Sequence, residues 1–328
     1  MGADKTKPMR AKDVVRWDVE VDVLVAGFGA AGACAAIEAC DLGCDVLLVE
    51  AASAAGGSTA LSSAELYLGG GTRIQKALGY HDTADAMYDY LMASNAPQAC
   101  PEKTRLYCEQ GAEHLQWLED QGVPFKESEY PHRAMMALTD DCPLYTGSEK
   151  AWPFSNIAPP APRGHNLAVE GDNGGPLFMR ILENAVRDRG IEVRCETRVL
   201  RLIVDDSADD PVVCGAVIRQ DMQEHRVKAR RGVILCCGGF VMNEAMVKQY
   251  APELMKATVP IGNPNDTGTG IQMGLSVGAA AINMHEGFVS LPYYPPASLT
   301  FGILVNAQGQ RFINEDAYHG RVGAAVLK

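Results

Sequence analysis

Residues 22–32, which read Asp22-Val23-Leu24-Val25-Ala26-Gly27-Phe28-Gly29-Ala30-Ala31-Gly32, determine how the rest of the chain is interpreted. Their apolar part predicts a buried strand, which runs into three glycines at G-x-G-x-x-G spacing. A helix is predicted over 33–42 and a second strand over 44–49, ending on Glu50. This order is typical of a βαβ unit that binds a dinucleotide. A glycine-rich turn in some other α/β unit is the alternative. Such a turn would not require an acidic residue at the end of the second strand, where Glu50 lies.

Each part of this motif has a predicted role. Gly27 allows the tight turn after the strand, and Gly32 lets the helix pack against it. Gly29 leaves room for a pyrophosphate, and the N–H groups of Ala30–Ala31 and Gly32 at the helix N-terminus favour its negative charge. Glu50 is expected to accept hydrogen bonds from a ribose diol. A 2′-phosphate would be repelled there, so NADP is disfavoured.

A second glycine pair follows Glu50 and Ala51. Gly56 and Gly57 would let the backbone lie against a flavin or its pyrophosphate, and the hydroxyls of Ser58 and Thr59 could donate hydrogen bonds to it. Ordinary glycine- and serine-rich loops have the same composition. Both interpretations stay open for this segment taken alone.

The middle of the chain is predicted to be helical and then irregular. Helices are expected after Thr83 and from Pro101 to about residue 121, and a long loop rich in proline and glycine covers 123–175. Arg163 and His165 form a basic pair within it. Contact with substrate or cofactor and anchoring of the loop are equally compatible with the sequence.

The second half adds a helix, a β-meander and an apolar strand. The helix is predicted over 176–189 and the strands over 191–196, 197–204, 212–219, 227–229 and 232–235. The last strand is followed by Gly238, which would let a loop approach the nucleotide. The last strand and its continuation to residue 237 are apolar, which predicts burial on both faces in a parallel sheet. A separate β domain is the alternative that this pattern disfavours.

A polar glycine-rich turn over 263–270 precedes another predicted helix, and either a phosphate contact or a plain helix cap would explain it. We predict that Val199, Gly238 and Asp266 contribute to the cofactor site from this half of the chain.

Composition excludes several classes of protein. The formal net charge is −12 in 328 residues and no basic stripe is visible, which disfavours nucleic-acid binding. The ten cysteines are scattered without a C-x-x-C, so we predict no metal site and a reducing cytoplasmic location. Cys236 and Cys237 are expected to be buried small hydrophobic residues. We expect no membrane span.

Taken together, these segments resemble the FAD-dependent fumarate reductase/3-ketosteroid dehydrogenase superfamily, and most of all the 3-ketosteroid Δ4-(5α)-dehydrogenases. The similarity extends from Trp17 over nearly the whole chain, and its most specific part is the block 302–321. Further matching segments are 17–20, 67–72, 122–128 and 161–165.

The resemblance implies an α/β fold, with a doubly wound FAD-binding domain of the Rossmann-like, glutathione-reductase type that contains the β-meander. It also implies the start of an α+β cap domain. The expected boundaries are a flexible lead-in at 1–20, the FAD domain at 21–278 and the cap at 279–328.

The implied cofactor is non-covalent FAD, because Ser58-Thr59 lacks the histidine that respiratory fumarate reductase subunits use to attach it. The implied partners are a steroid or similar ring ketone and an unidentified electron acceptor. The family places a tyrosine of the cap at the substrate, and Tyr318 occupies that position in this chain. It is the predicted catalytic residue, as proton acceptor or relay. Simple packing of the side chain is the alternative.

Two departures from the family pattern leave alternatives open. The family's C-terminal return to the FAD domain is not found before Lys328, so the chain is expected to be a fragment or a truncated, inactive flavin-binding module. Ser63-Ala64 also stand where two glycines are expected near the flavin. The enzyme alternative is a soluble reductase of fumarate-like or urocanate-like acceptors, which would need arginine and histidine clusters around a carboxylate.

Overall fold

The computed structural model describes residues 6–132, 137–171, 173–291 and 301–328, and the chain forms two compact units. Unit 1 consists of Met1–Leu61, Pro176–Pro252 and Thr258–His285. Unit 2 consists of Ser62–Gly175, Glu253–Ala257 and Glu286–Lys328. This division differs from the predicted boundaries, which assign residues 62–175 and 253–257 to the FAD domain and 279–285 to the cap.

Unit 1 is built on a seven-stranded sheet with helices packed beside it. Its strands are β1 (Met9–Arg10), β2 (Val19–Ala26), β3 (Val46–Val49), β6 (Glu192–Arg194), β7 (Arg198–Asp205), β8 (Val212–Gln220) and β9 (Gln223–Leu235). Its helices are α1 (Ala30–Asp41), α5 (Gly174–Asp188, which begins in unit 2), α6 (Glu244–Tyr250) and α7 (Thr269–Ser276). The remaining strands β4 and β5 and helices α2, α3, α4 and α8 belong to unit 2.

The strand order in this sheet is β1-β7-β8-β9-β2-β3-β6. Strands β9, β2, β3 and β6 run parallel, whereas β7, β8 and β9 form an antiparallel meander. Leu24, Val25 and Ala26 of the central strand β2 are completely buried, as its apolar sequence requires when both faces are covered. The α/β fold with a mostly parallel sheet and a β-meander is therefore confirmed.

Strand β9 differs from the prediction of two short strands over 227–229 and 232–235. It is continuous: 223–228 pairs with β8 and 227–235 pairs with β2, so Val227 and Lys228 pair with both neighbouring strands. The pairing with β2 shifts register between Val21 and Val23, where Gly232 adopts φ +155°. This irregularity lets a single strand leave the meander and rejoin the parallel sheet.

The amino-terminal lead-in is partly ordered. Met9–Arg10 pairs in parallel with Ile203–Val204 of β7, so this part of the predicted flexible segment extends the sheet. Met1–Lys5 of the lead-in lies outside the described residues. In the described part of the chain, no helix combines the length and apolar character needed to cross a bilayer.

Unit 2 contains helices and a small antiparallel sheet. Its elements are β4 (Leu66–Tyr67), α2 (Arg73–Ala77), α3 (Ala84–Ser94), α4 (Pro101–Asp120), β5 (Gly164–His165) and α8 (His319–Leu327). The predicted N-cap at Thr83 is confirmed, because its side chain accepts a hydrogen bond from Ala86 N at 3.0 Å. Pro101 begins α4 at a position where its missing N–H costs nothing.

Candidate functional site: a nucleotide-sized cavity in unit 1

A cavity of about 460 Å³ opens in unit 1 beyond the carboxyl ends of β2, β3 and β9. This is where open parallel sheets bind their ligands, and the volume falls within the usual range for such sites. Among the predicted cofactor-binding residues, all except Gly32 and Gly56 line it. The lining members are Gly27, Gly29, Ala30, Ala31, Glu50, Ala51, Gly57, Ser58, Thr59, Val199, Gly238 and Asp266.

The three motif glycines are required for different reasons. A Cβ on Gly27 would lie 2.3 Å from the carbonyl oxygen of Cys236, and the residue adopts φ +108°. A Cβ on Gly32 would lie 1.8 Å from the carbonyl oxygen of Gly27. Folding itself therefore excludes a side chain at both positions. A Cβ on Gly29 would meet nothing closer than Thr59 Oγ1 at 3.4 Å, so the protein alone leaves that space open.

Glu50 is fixed at the edge of the cavity. Its Oε2 accepts a hydrogen bond from Phe28 N at 2.7 Å, and its Oε1 accepts one from Ala52 N at 2.8 Å. Each carboxylate oxygen has a second lone pair. Both oxygens can therefore accept a ribose hydroxyl without losing the contacts that orient them.

The segment 56–59 lies directly beside the glycine turn. Gly56 N donates to Phe28 O at 2.9 Å, and a Cβ on Gly57 would lie 3.6 Å from Gly29 Cα. Thr59 Oγ1 accepts from Ala30 N at 3.2 Å. Ser58 Oγ donates to Asp266 Oδ2 at 2.5 Å. Both predicted hydroxyl donors therefore line the cavity, but in this structure they already bind protein groups.

The carboxyl end of β9 forms part of the cavity wall. The prediction that Cys236 and Cys237 are buried was wrong, because both are partly exposed where they line the cavity. Burial raises the pKa of the Cys237 thiol to about 11, helped by Cys236 and Glu50 and opposed by Arg198. This thiol is therefore protonated at neutral pH, which is unfavourable for nucleophilic or disulfide chemistry.

Five polar residues of the lining are absent from the predicted cofactor residues, namely Thr197, Arg198, Asn263, Asn265 and Thr269. Asn263 and Asn265 lie in the turn before α7, and Arg198 begins β7. Arg198 Nη2 donates to Asn265 Oδ1 at 2.8 Å. The sequence offered one signal, because Asn265 and Arg198 are next in the chain to Asp266 and Val199, which are predicted cofactor residues. Their selection from the sequence would have required knowing that two distant segments face each other.

Tyr318, the predicted catalytic residue, belongs to unit 2. It caps α8 at the N-terminus, and its backbone N–H donates to Ser148 Oγ at 2.9 Å. Its ring centroid is 6.1 Å from that of Phe288, whose side chain is largely exposed. Burial, with contributions from Glu65 and Tyr90, raises the pKa of the Tyr318 phenol to about 12, so it remains protonated at neutral pH.

Arg163 and His165 both anchor the long loop. The side chains of Arg163 and Asp82 are fully buried and form an ion pair, with Nη2 2.8 Å from Oδ1 and Nε 3.0 Å from Oδ2. The His165 ring lies 3.0 Å from both Thr72 Oγ1 and Arg163 O. Burial lowers the pKa of His165 to about 4, so the ring is neutral at pH 7. These contacts support the anchoring interpretation.

Comparisons with known proteins agree with this geometry. The family model described as "FAD binding domain" matches residues 22–328. The chain is 26% identical over 363 residues to the 3-oxo-5-alpha-steroid 4-dehydrogenase of Comamonas testosteroni, covering 96% of this chain and 67% of that protein. It is 29% identical over 314 residues to the NADH:fumarate oxidoreductase of Klebsiella pneumoniae (strain 342), covering 93% and 30%.

A solved structure is also similar over nearly the whole chain. It is the 3-ketosteroid-delta4-(5alpha)-dehydrogenase of Rhodococcus jostii RHA1, in complex with 4-androstene-3,17-dione. The TM-score is 0.92 at 40% identity, covering 98% of this chain and 66% of that one. The chain thus spans about two thirds of these steroid dehydrogenases and less than a third of the fumarate oxidoreductase.

Proposed function

Because the chain belongs to the FAD binding domain family, with 22–328 matched, we propose that the protein is an FAD-dependent dehydrogenase of a 3-ketosteroid or similar ring ketone. The observation that carries this proposal is the TM-score of 0.92 with a 3-ketosteroid-delta4-(5alpha)-dehydrogenase. The likeness extends through both units, since it covers 98% of the chain. A fold alone would not define a substrate, but 40% identity makes this steroid relative the best guide to it.

The residues of the unit 1 cavity fit the adenosine diphosphate half of FAD. Gly29 leaves an opening that the protein does not fill, next to the N-terminus of α1, where a pyrophosphate is favoured. Glu50 is oriented for the ribose hydroxyls. We propose non-covalent attachment, because Ser58 and Thr59 offer hydroxyl groups rather than a histidine at the segment predicted to lie against the flavin.

In the proposed reaction, bound FAD supplies the hydride acceptor, and the protein positions the ketone and handles the proton from the neighbouring carbon. Tyr318 is the residue proposed for proton transfer. Its raised pKa means that it acts as a protonated phenol, so it serves as a relay or a hydrogen-bond donor rather than as a phenolate base. Phe288, exposed beside it, offers the kind of apolar surface that a steroid ring requires.

Two alternatives remain. The fumarate-reducing relatives support a reductase of small unsaturated acids. The arginine of unit 2 nearest in sequence to Tyr318 is Arg321, which donates to Ser94 O at 2.7 Å and lies over the Phe154 ring. The adjacent His319 makes ring contacts with Tyr318 and Phe288. Both basic residues are therefore engaged by protein groups, which favours the ring ketone. The second alternative is that residues 1–328 bind flavin without turning over a substrate.

Anaerobic flavin spectroscopy on the purified protein tests the proposal. A 3-ketosteroid whose ketone-bearing ring is saturated should bleach the bound FAD. A 3-ketosteroid whose ketone-bearing ring is already unsaturated should not. Reoxidation of dithionite-reduced protein by fumarate, without any bleaching by steroid, would contradict the steroid assignment. Bleaching by dithionite alone would indicate a flavin-binding module. The electron acceptor and the cytoplasmic location remain predictions from the sequence.

A further inference from the structure

Arg198 has an unusual place in the unit 1 cavity. Among the described residues that line the cavity, it is the only lysine, arginine or histidine. The other charged lining residues are Glu50 and Asp266, which are both acidic. A ligand with two phosphates would therefore meet an acidic wall if Arg198 were absent, and like charges at short range are costly in a partly dehydrated site.

The Arg198 backbone is placed by the start of β7, and its guanidinium is held by a hydrogen bond to Asn265. At the start of β7, Thr197 N donates to Glu50 O and Glu196 N to Ala52 O, both at 2.8 Å, so the strand begins beside the ribose-binding acid. On the other side, Arg198 Nη2 donates to Asn265 Oδ1 at 2.8 Å. The guanidinium therefore spans from β7 to the turn before α7.

A short series of contacts connects this turn with the glycine motif. Asn265 is followed by Asp266, whose carboxylate accepts from Ser58 Oγ at 2.5 Å. Ser58 is preceded by Gly57, and a Cβ added to Gly57 would lie 3.6 Å from Gly29 Cα. The residue that binds the guanidinium is therefore next in the chain to Asp266, and Asp266 contacts the segment beside the opening at Gly29.

We infer that Arg198 provides the positive charge that lets this acidic cavity accept the pyrophosphate of an adenosine diphosphate moiety, with Asn265 holding the guanidinium in place. A guanidinium has five N–H donors, so the bond to Asn265 leaves others for phosphate oxygens. Arg198 is thus a determinant of affinity for the charged part of the ligand. This inference does not depend on the steroid substrate.

The test uses the full chain freed of bound cofactor and measures the direct binding of two probes, ADP and adenosine, by calorimetric titration. Arg198→Gln should weaken ADP binding roughly tenfold or more, since a charge-assisted contact is lost, and should change adenosine binding by less than about twofold. Arg201→Gln is the matched control. Arg201 lies on the same strand and pairs with Glu224, but it does not line the cavity, so both affinities should stay at wild-type values.

Two outcomes would overturn the inference. Equal losses of ADP and adenosine would mean that Arg198 shapes the adenosine end rather than balancing phosphate charge. Wild-type ADP affinity in Arg198→Gln would mean that the side chain only anchors the turn through Asn265. Arg198→Lys supplies a second variant in case Arg198→Gln does not fold. It keeps the charge and should bind ADP within about threefold of wild type, whereas a tenfold loss at unchanged thermal stability would contradict a role for charge.

Discussion

At the scale of single residues, the glycine motif separates what the fold needs from what a ligand needs. Gly27 and Gly32 are required by the chain itself, since a Cβ on either would collide with a backbone carbonyl oxygen. Gly29 adopts φ −88° and ψ −170°, which any residue can adopt, and its surroundings accept a Cβ. Folding therefore does not require glycine at position 29, whereas the pyrophosphate proposed for this cavity would.

This distinction predicts opposite behaviour for two alanine variants. Gly29→Ala should lower FAD affinity at least tenfold while changing the free energy of unfolding of the FAD-free protein by less than about 0.5 kcal/mol. Gly32→Ala should lower that free energy by about 3 kcal/mol, because the Cβ would lie 1.8 Å from Gly27 O. Urea unfolding and FAD titration check both. Normal FAD binding by Gly29→Ala would show that the pyrophosphate does not occupy this opening.

At the scale of elements, unit 2 contains a fully buried ion pair between Arg163 and Asp82. Burial by itself would raise the pKa of Asp82, but Arg163 and hydrogen bonds from Gly70 N and Gln75 hold it below its usual value. The pair joins the segment between α2 and α3 to the segment just before β5. Removing the carboxylate would leave the guanidinium buried without its counter-charge.

Asp82→Asn should therefore destabilise the protein by about 3–5 kcal/mol at neutral pH. Because the folded pKa is lowered, this contribution is complete above about pH 4, near the pKa of an unfolded aspartate, and is lost as pH falls through the folded value. The difference in the free energy of unfolding between wild type and Asp82→Asn should therefore become smaller as pH falls below about 4. Asp85→Asn, which removes an exposed partner of Arg105, is the control and should leave the denaturation midpoint unchanged. Equal effects of the two variants would contradict this role for the buried pair.

The elements also show what the sequence could and could not predict. The strand, the turn, the helix and the acidic residue within 22–50 could be predicted, because the apolar pattern and the glycine spacing that specify them lie within this short segment. The roles of Arg163 and Arg198 were not, since their partners Asp82 and Asn265 lie 81 and 67 residues away without any periodic signal. The continuity of β9 was missed because the two adjacent arginines Arg230 and Arg231 interrupt the apolar pattern between the predicted strands 227–229 and 232–235.

At the scale of the whole molecule, the cofactor cavity is lined by residues of unit 1 alone, whereas Tyr318 belongs to unit 2. Tyr318→Phe should therefore leave FAD affinity unchanged and lower the rate of flavin reduction by a 3-ketosteroid by about 10²-fold or more, as expected when a proton-transfer group is lost. Since the phenol pKa is raised to about 12, the wild-type rate should show no change attributable to Tyr318 between pH 6 and 10. Stopped-flow reduction across that range, with FAD binding measured in parallel, checks both. An unchanged reduction rate in the variant would show that Tyr318 packs beside the substrate without moving a proton, while a loss of FAD would show that the two units do not divide their tasks in this way.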